Sequence, residues 1–257
     1  MWDVPWEFSG KTDDGYPPAC GQQVCFMNIL WKFMARFGKD DHHRVTTNDV
    51  KDIDEIIFSG IEQFVNAGDG VGADLGCGAG GVAARLSSCF GRFIATDIVE
   101  SVKPQNLKRC EFHVMDIRRP DIPVETIDFV LVNTVLQIFS KDVARDVVKN
   151  VFALVKKGGV LILGEVPFEP LYFERSISLN ILAKPYILAR WIYARFFCSY
   201  NYFDLDFFQH ILGPLGVEIA VVPLDSRHPY CGGCFNIVIK KAELPINLSV
   251  SPGMDTK

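Results

Sequence analysis

The hydrophobic and polar positions of this chain fall into two patterns, one typical of helices and one typical of strands. Apolar residues recur at three- and four-residue spacing over 25–37, and again from about Asn48 to Gly68, which predicts two amphipathic helices. A third helix is predicted over Ser140–Val155, with Ser140 as its N-terminal cap and the glycines at 158–159 ending it. A fourth follows a capping Asp204 and ends at Gly213–Pro214.

Short apolar runs between these helices predict seven strands. The first five cover 73–75, 93–96, 111–115, 129–132 and 160–163, and the last two cover 217–224 and 235–240. Strands that alternate with helices indicate right-handed βαβ units, and therefore a mostly parallel sheet. The last two strands follow each other without a helix, which indicates a hairpin.

Length and charge narrow the class of protein. The chain has 257 residues, of which 49% are hydrophobic, enough for one substantial core and an appended cap. A net charge of −5 argues against a large nucleic-acid footprint, so no nucleic-acid partner is expected. The N-terminus resembles no secretory signal, and no apolar window is long enough for a membrane span. Eight cysteines in such a chain indicate reduced thiols and predict a cytoplasmic protein.

The segment from Val71 to Asp97 has the order strand, glycine-rich turn, helix, strand. Glycines in such a turn let the backbone approach a ligand and adopt positive φ angles. Asp97 is expected at the tip of the second strand, where a carboxylate can accept hydrogen bonds from ribose hydroxyls. The segment therefore predicts a site for a nucleoside-like cofactor.

Two classes of cofactor fit this turn. Gly76, Gly78 and Gly81 satisfy the dinucleotide pattern G-x-G-x-x-G, and Asp97 follows at the expected spacing. Asp74, however, lies two residues before the first glycine. Its carboxylate would repel a pyrophosphate and attract an ammonium group, which favours a cationic ligand over a dinucleotide.

The run Asp74-Leu-Gly-Cys-Gly-Ala-Gly80 resembles motif I of the class I S-adenosylmethionine-dependent methyltransferases, of the small-molecule, methyltransferase-11-like type. Later segments resemble that family in order, from roughly Asn48 to Lys241. The resemblance implies an α/β, Rossmann-like fold with helices on both faces of a seven-stranded, mostly parallel sheet of order 3-2-1-4-5-7-6. It also implies S-adenosylmethionine as the cofactor. An N-terminal helical extension and a helical cap inserted after strand 5 would complete the fold.

This interpretation divides the chain into five parts. Residues 1–47 would form an N-terminal arm and helix, 48–164 the cofactor-binding core, and 165–202 a lid or cap. Residues 203–241 would complete the core, and 242–257 would form a loose tail. The aromatic segment 165–202 has three interpretations: a cap packed on the core, a lid over an apolar substrate chamber, or a helix that contacts a membrane surface.

The resemblance also implies roles for individual residues. Asp74 would fix the amino group of the methionine portion, Asp97 the ribose, and Asp116 the adenine amine. The simpler alternatives are that Asp74 is satisfied by loop amides and that Asp116 caps a turn. The other residues expected to line the cofactor are Gly76, Cys77, Gly78, Gly80, Ile98, Met115, Ile117 and Asn133.

Three residues are candidates for catalysis: His228 as a general base, Glu165 at the mouth of the site, and Gln137 as a group that orients the substrate. The simpler interpretation of His228 is an exposed loop histidine, and that of Glu165 is a structural ion-pair partner. The related enzymes that the resemblance identifies often carry a His near position 137, and its absence here argues against a base at that place. The candidate substrate contacts are Phe168, Tyr172, Tyr186, Tyr193, Arg227 and Tyr230.

Cys231 and Cys234 have the spacing of half a zinc site, but a structural zinc needs four ligands and no second matching pair is present, so no metal is predicted.

Taken with the resemblance, the sequence predicts methyl transfer to a small-molecule or lipid-like acceptor at O, N or C. Two alternatives stay open: an inactive cofactor-binding scaffold, and an NAD(P)-dependent oxidoreductase. Nothing in the sequence indicates the oligomeric state.

Overall fold

A seven-stranded sheet dominates the computed structural model, which describes residues 53–66, 68–100, 108–168, 201–228 and 230–242. The strands are β1 (Gly68–Leu75), β2 (Phe90–Asp97), β3 (Glu111–Val114), β4 (Ile127–Asn133), β5 (Val155–Pro167), β6 (Glu218–Pro223) and β7 (Cys234–Lys240). Their spatial order is β3-β2-β1-β4-β5-β7-β6. β7 runs antiparallel to both of its neighbours, β5 and β6, and the other paired strands are parallel. The predicted fold class and strand order are confirmed.

Four helices flank this sheet in the described part of the chain. They are α1 (Ile53–Ile61), α2 (Gly81–Leu86), α3 (Lys141–Leu154) and α4 (Leu205–Leu212). The predicted caps are confirmed: the Ser140 hydroxyl accepts from the Val143 amide at 3.4 Å, and the Asp204 carboxylate accepts from the Phe207 amide at 2.8 Å. Each cap satisfies one of the amides that a helix start leaves unpaired.

The two faces of the sheet carry separate clusters of buried side chains. Val130 and Val132 of β4 face α3 and α4, and pack with residues such as Val147 and Phe208. Phe129 and Leu131 face the opposite side, where the cluster includes Leu86 of α2. This alternation follows from the two-residue period of a strand. Helices therefore cover both faces. The residues of β1 and β2 that pair in register with Phe129 and Leu131 lie, like them, on the side of α1 and α2.

Two predicted boundaries were wrong. Gly68 does not end α1, which closes at Ile61 into a single 3-10 turn; Gly68 begins β1 instead. The glycines at 158–159 do not end α3 either, because β5 already starts at Val155, directly after the helix. Gly158 adopts a φ of +77° inside that strand, and a Cβ at Gly159 would lie 2.8 Å from the Asp128 carbonyl oxygen. These glycines therefore fit a close approach of two strands rather than a helix terminus.

Several predicted segments lie outside the described residues: the N-terminal arm and helix, the connection at 101–107, most of the cap, and the tail after 242. The described ends of the cap meet, because Phe168 forms a β-bridge with Phe203, whose amide donates to the Pro167 carbonyl at 2.9 Å. The described residues belong to the larger of two units, Asp40–Lys257. No helix within the described ranges combines the length and apolarity needed to cross a bilayer.

Candidate functional site

The glycine-rich turn after β1 is fastened to the end of β2. The amides of Gly76 and Cys77 both donate to the Thr96 carbonyl, at 2.7 and 2.8 Å. The Gly78 amide donates to Asp97 Oδ2 at 2.8 Å. Gly76, Gly78 and Gly80 have φ angles of +88°, +55° and +77°. This left-handed conformation strains most other residues, which explains the three glycines.

Asp74 lies beside this turn on the α1–α2 side of the sheet and is only 2% exposed. Its Oδ1 is buried and has no hydrogen-bond partner among the residues that the structure describes. Burial, reinforced by the negative charges of Asp97 and Asp54, raises the pKa of Asp74 from 3.8 to about 8. A buried carboxylate with an unsatisfied oxygen and acidic neighbours is a site that a cation stabilises.

Asp97 ends β2, as predicted, and is 8% exposed. Besides the Gly78 amide, its carboxylate accepts from the Val99 amide at 3.2 Å. Two amides thus orient the carboxylate at the end of β2. The position is therefore compatible with a ribose contact at the rim of the turn.

Asp54 is a residue of this site that the sequence analysis missed. It belongs to the first turn of α1, and a side chain at Gly81 would overlap its carboxylate. The absence of a side chain at Gly81 therefore lets α1 approach the turn. The only sequence signal was an acid at the start of a helix, which usually means no more than a favourable interaction with the helix dipole.

The end of β3 carries the residues expected to surround an adenine. The Met115 amide donates to the Asp97 carbonyl at 2.8 Å, which ties this end to β2. Asp116 is paired with Arg118, whose amide and Nε both lie 2.9 Å from Oδ1. Burial acts to raise the pKa of Asp116, but the hydrogen bonds and charge of Arg118 outweigh it and hold the pKa below its usual value. Ile98 and Met115 are half-buried, and Ile117 is buried.

The ends of β4 and β5 bring Asn133 and Glu165 together. Asn133 Nδ2 donates to Glu165 Oε1 at 2.8 Å, and the Glu165 amide donates to Asn236 Oδ1 at 3.1 Å. Glu165 and Thr134 have φ angles of +51° and +55°, although neither is glycine. Such strain is uncommon, and in proteins it concentrates at functional sites. Asn236 is a second residue that the sequence analysis missed; its signal was a polar side chain among the apolar positions of β7.

His228 is not an exposed loop histidine, since only 3% of it is accessible. Its Nδ1 accepts from the Tyr230 amide at 3.1 Å, and its Nε2 lies 3.6 Å from Glu165 Oε1. The structure thus brings together two of the three proposed catalytic residues. Arg227, by contrast, is engaged by Asp225 through its Nε at 3.0 Å and Nη2 at 2.7 Å. Tyr230 lies beside His228, with ring centroids 5.6 Å apart.

The remaining candidates are more dispersed. Gln137 is 2% exposed, and its Oε1 has no hydrogen-bond partner among the described residues. Phe168 packs edge-on against Phe235, with ring centroids 5.0 Å apart. Tyr172, Tyr186 and Tyr193 lie outside the described residues, so the structure does not place them.

The described cysteines are thiols. Burial, with the nearby charges of Asp74 and Asp97, raises the pKa of the half-buried Cys77 far above its usual value. Burial, with the charge of Glu165, likewise raises the pKa of Cys234. Neutral, buried thiols are poor nucleophiles, so neither suits covalent catalysis. Over the ranges that the structure describes, His, Cys, Asp and Glu form no group of three or more suited to a metal ion.

Comparisons with known proteins agree with this geometry. Residues 73–159 match the family model described as "Methyltransferase domain". This match covers about a third of the chain, and the fold is that of the Rossmann-like methyltransferases. In a sequence search, no curated protein matches the chain.

Three solved structures illustrate the fold. Magnesium protoporphyrin IX methyltransferase from Synechocystis PCC 6803, crystallised with S-adenosylhomocysteine, is 17% identical, with a TM-score of 0.58 over 87% of this chain and 99% of that one. A Burkholderia thailandensis 1,6-didemethyltoxoflavin-N1-methyltransferase is 14% identical, with a TM-score of 0.60 over 89% and 93%. Haemonchus contortus phosphoethanolamine N-methyltransferase 1 is 14% identical, with a TM-score of 0.61 over 91% of this chain and 51% of that one.

Proposed function

We propose that this protein is an S-adenosylmethionine-dependent methyltransferase that acts on a small-molecule or lipid-like acceptor. The observation that carries the proposal is the buried Asp74 carboxylate, with its unpartnered Oδ1, beside the glycine-rich turn. An ammonium group would stabilise the ionised form of this carboxyl group and lower its pKa, whereas a pyrophosphate would be repelled by that form. The neighbouring Asp54 and Asp97 strengthen both effects.

The proposed cofactor contacts follow the strand ends. Asp74 would hold the amino group, and the backbone at Gly76, Cys77, Gly78 and Gly80 would line the methionine portion. Asp97 would accept the ribose hydroxyls. Asp116, with the amide of Ile117, would contact the adenine edge, between Ile98 and Met115. Asn133 would complete this side of the site, next to Glu165.

The cofactor supplies an activated methyl group, so the chain's own task is to place a nucleophile in line with it. Effective molarities of positioned groups correspond to roughly 7–11 kcal/mol of barrier lowering, which shows how much positioning alone can contribute. Glu165, His228 and Gln137 are the polar groups proposed to orient the acceptor. Arg227, Tyr230 and Phe168 are proposed, with the tyrosines at 172, 186 and 193, to shape its surroundings.

The solved neighbours support a small acceptor, since their names refer to magnesium protoporphyrin IX, 1,6-didemethyltoxoflavin and phosphoethanolamine. A lipid-like acceptor is proposed because 165–202 is rich in aromatic residues. Peripheral membrane contact through that segment and the cytoplasmic location remain predictions. The division of the chain at 47, 164, 202 and 241 is likewise proposed, although β5 continues to Pro167.

The experiment that tests this function is methyl transfer with the full-length chain. The protein is incubated with methyl-labelled S-adenosylmethionine and a small-molecule extract, and labelled products are separated by mass. We expect label to appear in at least one compound. Binding of the donor without transfer in any extract, together with a stable protein partner in pull-downs, would instead support the inactive scaffold.

Asp97→Ala should weaken binding of S-adenosylmethionine by about 1–3 kcal/mol, because charged hydrogen bonds to the ribose would be lost. Isothermal titration calorimetry measures the change. Asp142→Ala is a matched control, since Asp142 lies on α3 in an exposed pair with Arg145. An Asp97→Ala affinity equal to that of the control would refute the ribose role.

A further inference from the structure

The loop between β6 and β7 holds His228 in a defined tautomer. Its Nδ1 accepts a hydrogen bond from the Tyr230 amide at 3.1 Å. A nitrogen that accepts carries no proton, so the neutral imidazole has its proton on Nε2. His228 therefore presents a donor, rather than the free lone pair that a general base needs.

That donor is buried and lacks a partner. The side chain of His228 is 2% exposed, and no described residue forms a hydrogen bond with Nε2. The nearest carboxylate oxygen is Glu165 Oε1, at 3.6 Å, which is longer than a hydrogen bond. A buried donor without a partner is costly, which indicates that something else satisfies it.

The Glu165 carboxylate is a hydrogen-bond acceptor that lies beside this donor in a fixed position. Asn133 Nδ2 holds its Oε1 at 2.8 Å, and Asn236 holds its backbone amide at 3.1 Å. Strands β4, β5 and β7 thus determine where the carboxylate lies, at a backbone φ of +51°. The neighbouring acid, Asp225, is in an ion pair with Arg227.

These groups line one cleft between α1 and the β6–β7 loop. Ile56 and Ile57 of α1 form an apolar wall, and Glu165, His228 and Asn236 lie on the polar side. The cleft has a free volume of about 10 Å³, room for little more than one water-sized group, so only the reactive end of an acceptor would enter it. Its reactive atom would lie next to a hydrogen-bond donor, His228 Nε2, and a hydrogen-bond acceptor, the Glu165 carboxylate.

We infer that this cleft receives the methyl acceptor, and that the acceptor is a hydroxyl group held between His228 Nε2 and Glu165. The inference rests on the proposed methyltransferase function and narrows it to alcohols or phenols. A hydroxyl oxygen accepts from Nε2–H with one lone pair and donates its proton to Glu165. Its second lone pair is free to attack the methyl carbon.

An amine fits the same groups less well. A neutral amine nitrogen has one lone pair, so it cannot accept from His228 and attack the methyl group at the same time. A carboxylate acceptor has no proton to give, and the charge of Glu165 would repel it. The arrangement therefore favours a neutral acceptor whose oxygen carries a proton, that is, a hydroxyl group.

The bond changes balance in one displacement. The acceptor oxygen forms the new O–CH₃ bond as the S–CH₃ bond breaks, and the sulfur keeps that electron pair and becomes a neutral thioether. The hydroxyl proton passes to the Glu165 carboxylate, which releases it to water after the product leaves. His228 keeps its proton throughout and acts as a positioning residue.

The tautomer can be tested without cofactor or turnover. In a ¹⁵N NMR spectrum of the histidine-labelled full chain near pH 8, His228 should show a protonated Nε2 and an unprotonated Nδ1. The resonance is assigned by its loss in His228→Gln. A protonated Nδ1 would overturn the inference.

The acceptor atom is tested with methyl-labelled S-adenosylmethionine and a small-molecule extract. Labelled methyl ethers are expected, whereas N-methyl, C-methyl or ester products would overturn the hydroxyl inference while leaving the methyltransferase function intact. If the wild-type chain fails to bind the donor, the proposed function itself is overturned. The two failures are therefore distinguishable.

The roles of the pair are tested by two substitutions with matched controls. Glu165→Gln should lower kcat by about 100-fold or more, since a positioned base contributes at least that much, and donor affinity should stay near the wild-type value. His228→Ala should lower kcat/KM about tenfold, the effect of one lost hydrogen bond, and His228→Gln, which keeps an N–H donor, should restore part of it.

Glu111→Gln and His210→Ala make the same chemical changes on β3 and α4, away from the cleft, and should leave turnover unchanged. If Glu165→Gln loses donor binding together with turnover, Glu165 is a structural residue and the inference is overturned. Equal losses in His228→Ala and His228→Gln would contradict the donor role.

Discussion

Asp74→Asn is expected to weaken S-adenosylmethionine binding roughly 10- to 100-fold, because a hydrogen bond to a charged group is lost with the charge. The same substitution should stabilise the fold. Asp74 is 2% exposed, and burial together with Asp97 and Asp54 raises its pKa to about 8. The uncharged amide removes that unfavourable burial, so the free energy of unfolding at pH 8 should rise by about 2–4 kcal/mol. Urea unfolding and calorimetry measure the two effects.

The contribution of Asp74 to the free energy of unfolding depends on pH. In the unfolded chain an Asp loses its proton near pH 4, while Asp74 in the folded chain keeps it to about pH 8. The folded state binds more protons between these values, so this contribution to stability falls as pH rises from 4 to 8. Asp74→Asn should flatten that decline.

Asp128→Asn is the matched control for Asp74→Asn. Asp128 accepts from the Val71 amide at 2.7 Å and from Lys156 Nζ at 2.9 Å. Although burial acts to raise its pKa, these bonds outweigh burial and lower it. Loss of the charge should therefore destabilise the fold, by about 1 kcal/mol, and leave cofactor affinity unchanged. A loss of stability in Asp74→Asn as well would contradict the proposed burial of an unsatisfied charge.

Gly76→Ala should have the second large effect, because two separate constraints require glycine there. The φ angle is +88°, and an added Cβ would lie 2.5 Å from Val135 Cγ2. Strain and overpacking together should lower the free energy of unfolding by about 2–4 kcal/mol. The turn should also shift from Thr96, which would weaken cofactor binding. Chemical denaturation and calorimetry measure both.

Gly213→Ala provides the comparison. Gly213 follows α4 with φ −53° and ψ −42°, and an added Cβ would meet nothing within 4 Å. Alanine there should raise stability by about 0.4–1 kcal/mol, since it restricts the unfolded chain without strain. If Gly76→Ala behaved like Gly213→Ala, the turn would not be constrained as described.

The parts of the fold that the sequence predicted depend on short-range patterns. The glycine spacing after Asp74 is found in few structures other than a strand–turn–helix unit. Ser140 and Asp204 are helix caps because their side chains reach the amide three residues further along the chain. The strand order came from resemblance rather than periodicity, because two-residue alternation specifies a strand's faces but not its neighbours.

The parts that the sequence could not predict depend on long-range packing. Arg227-His228 has the composition of a solvated loop, yet the imidazole is buried in a cleft that residues of α1, β5 and β7 also line. Asp54 is one of two adjacent acids in α1, and nothing local distinguishes it from Glu55, which pairs with Arg85. The positive φ of Glu165 likewise has no sequence signal, since non-glycine residues adopt it only where surrounding contacts hold them.

The central claim is that a buried carboxylate beside the glycine-rich turn selects a cationic amino-acid nucleoside over a dinucleotide. Calorimetric titration of the full chain with S-adenosylmethionine and, separately, with NADH at pH 8 tests it most directly. Saturable binding of S-adenosylmethionine and no binding of NADH is the predicted result. Binding of NADH alone would contradict it.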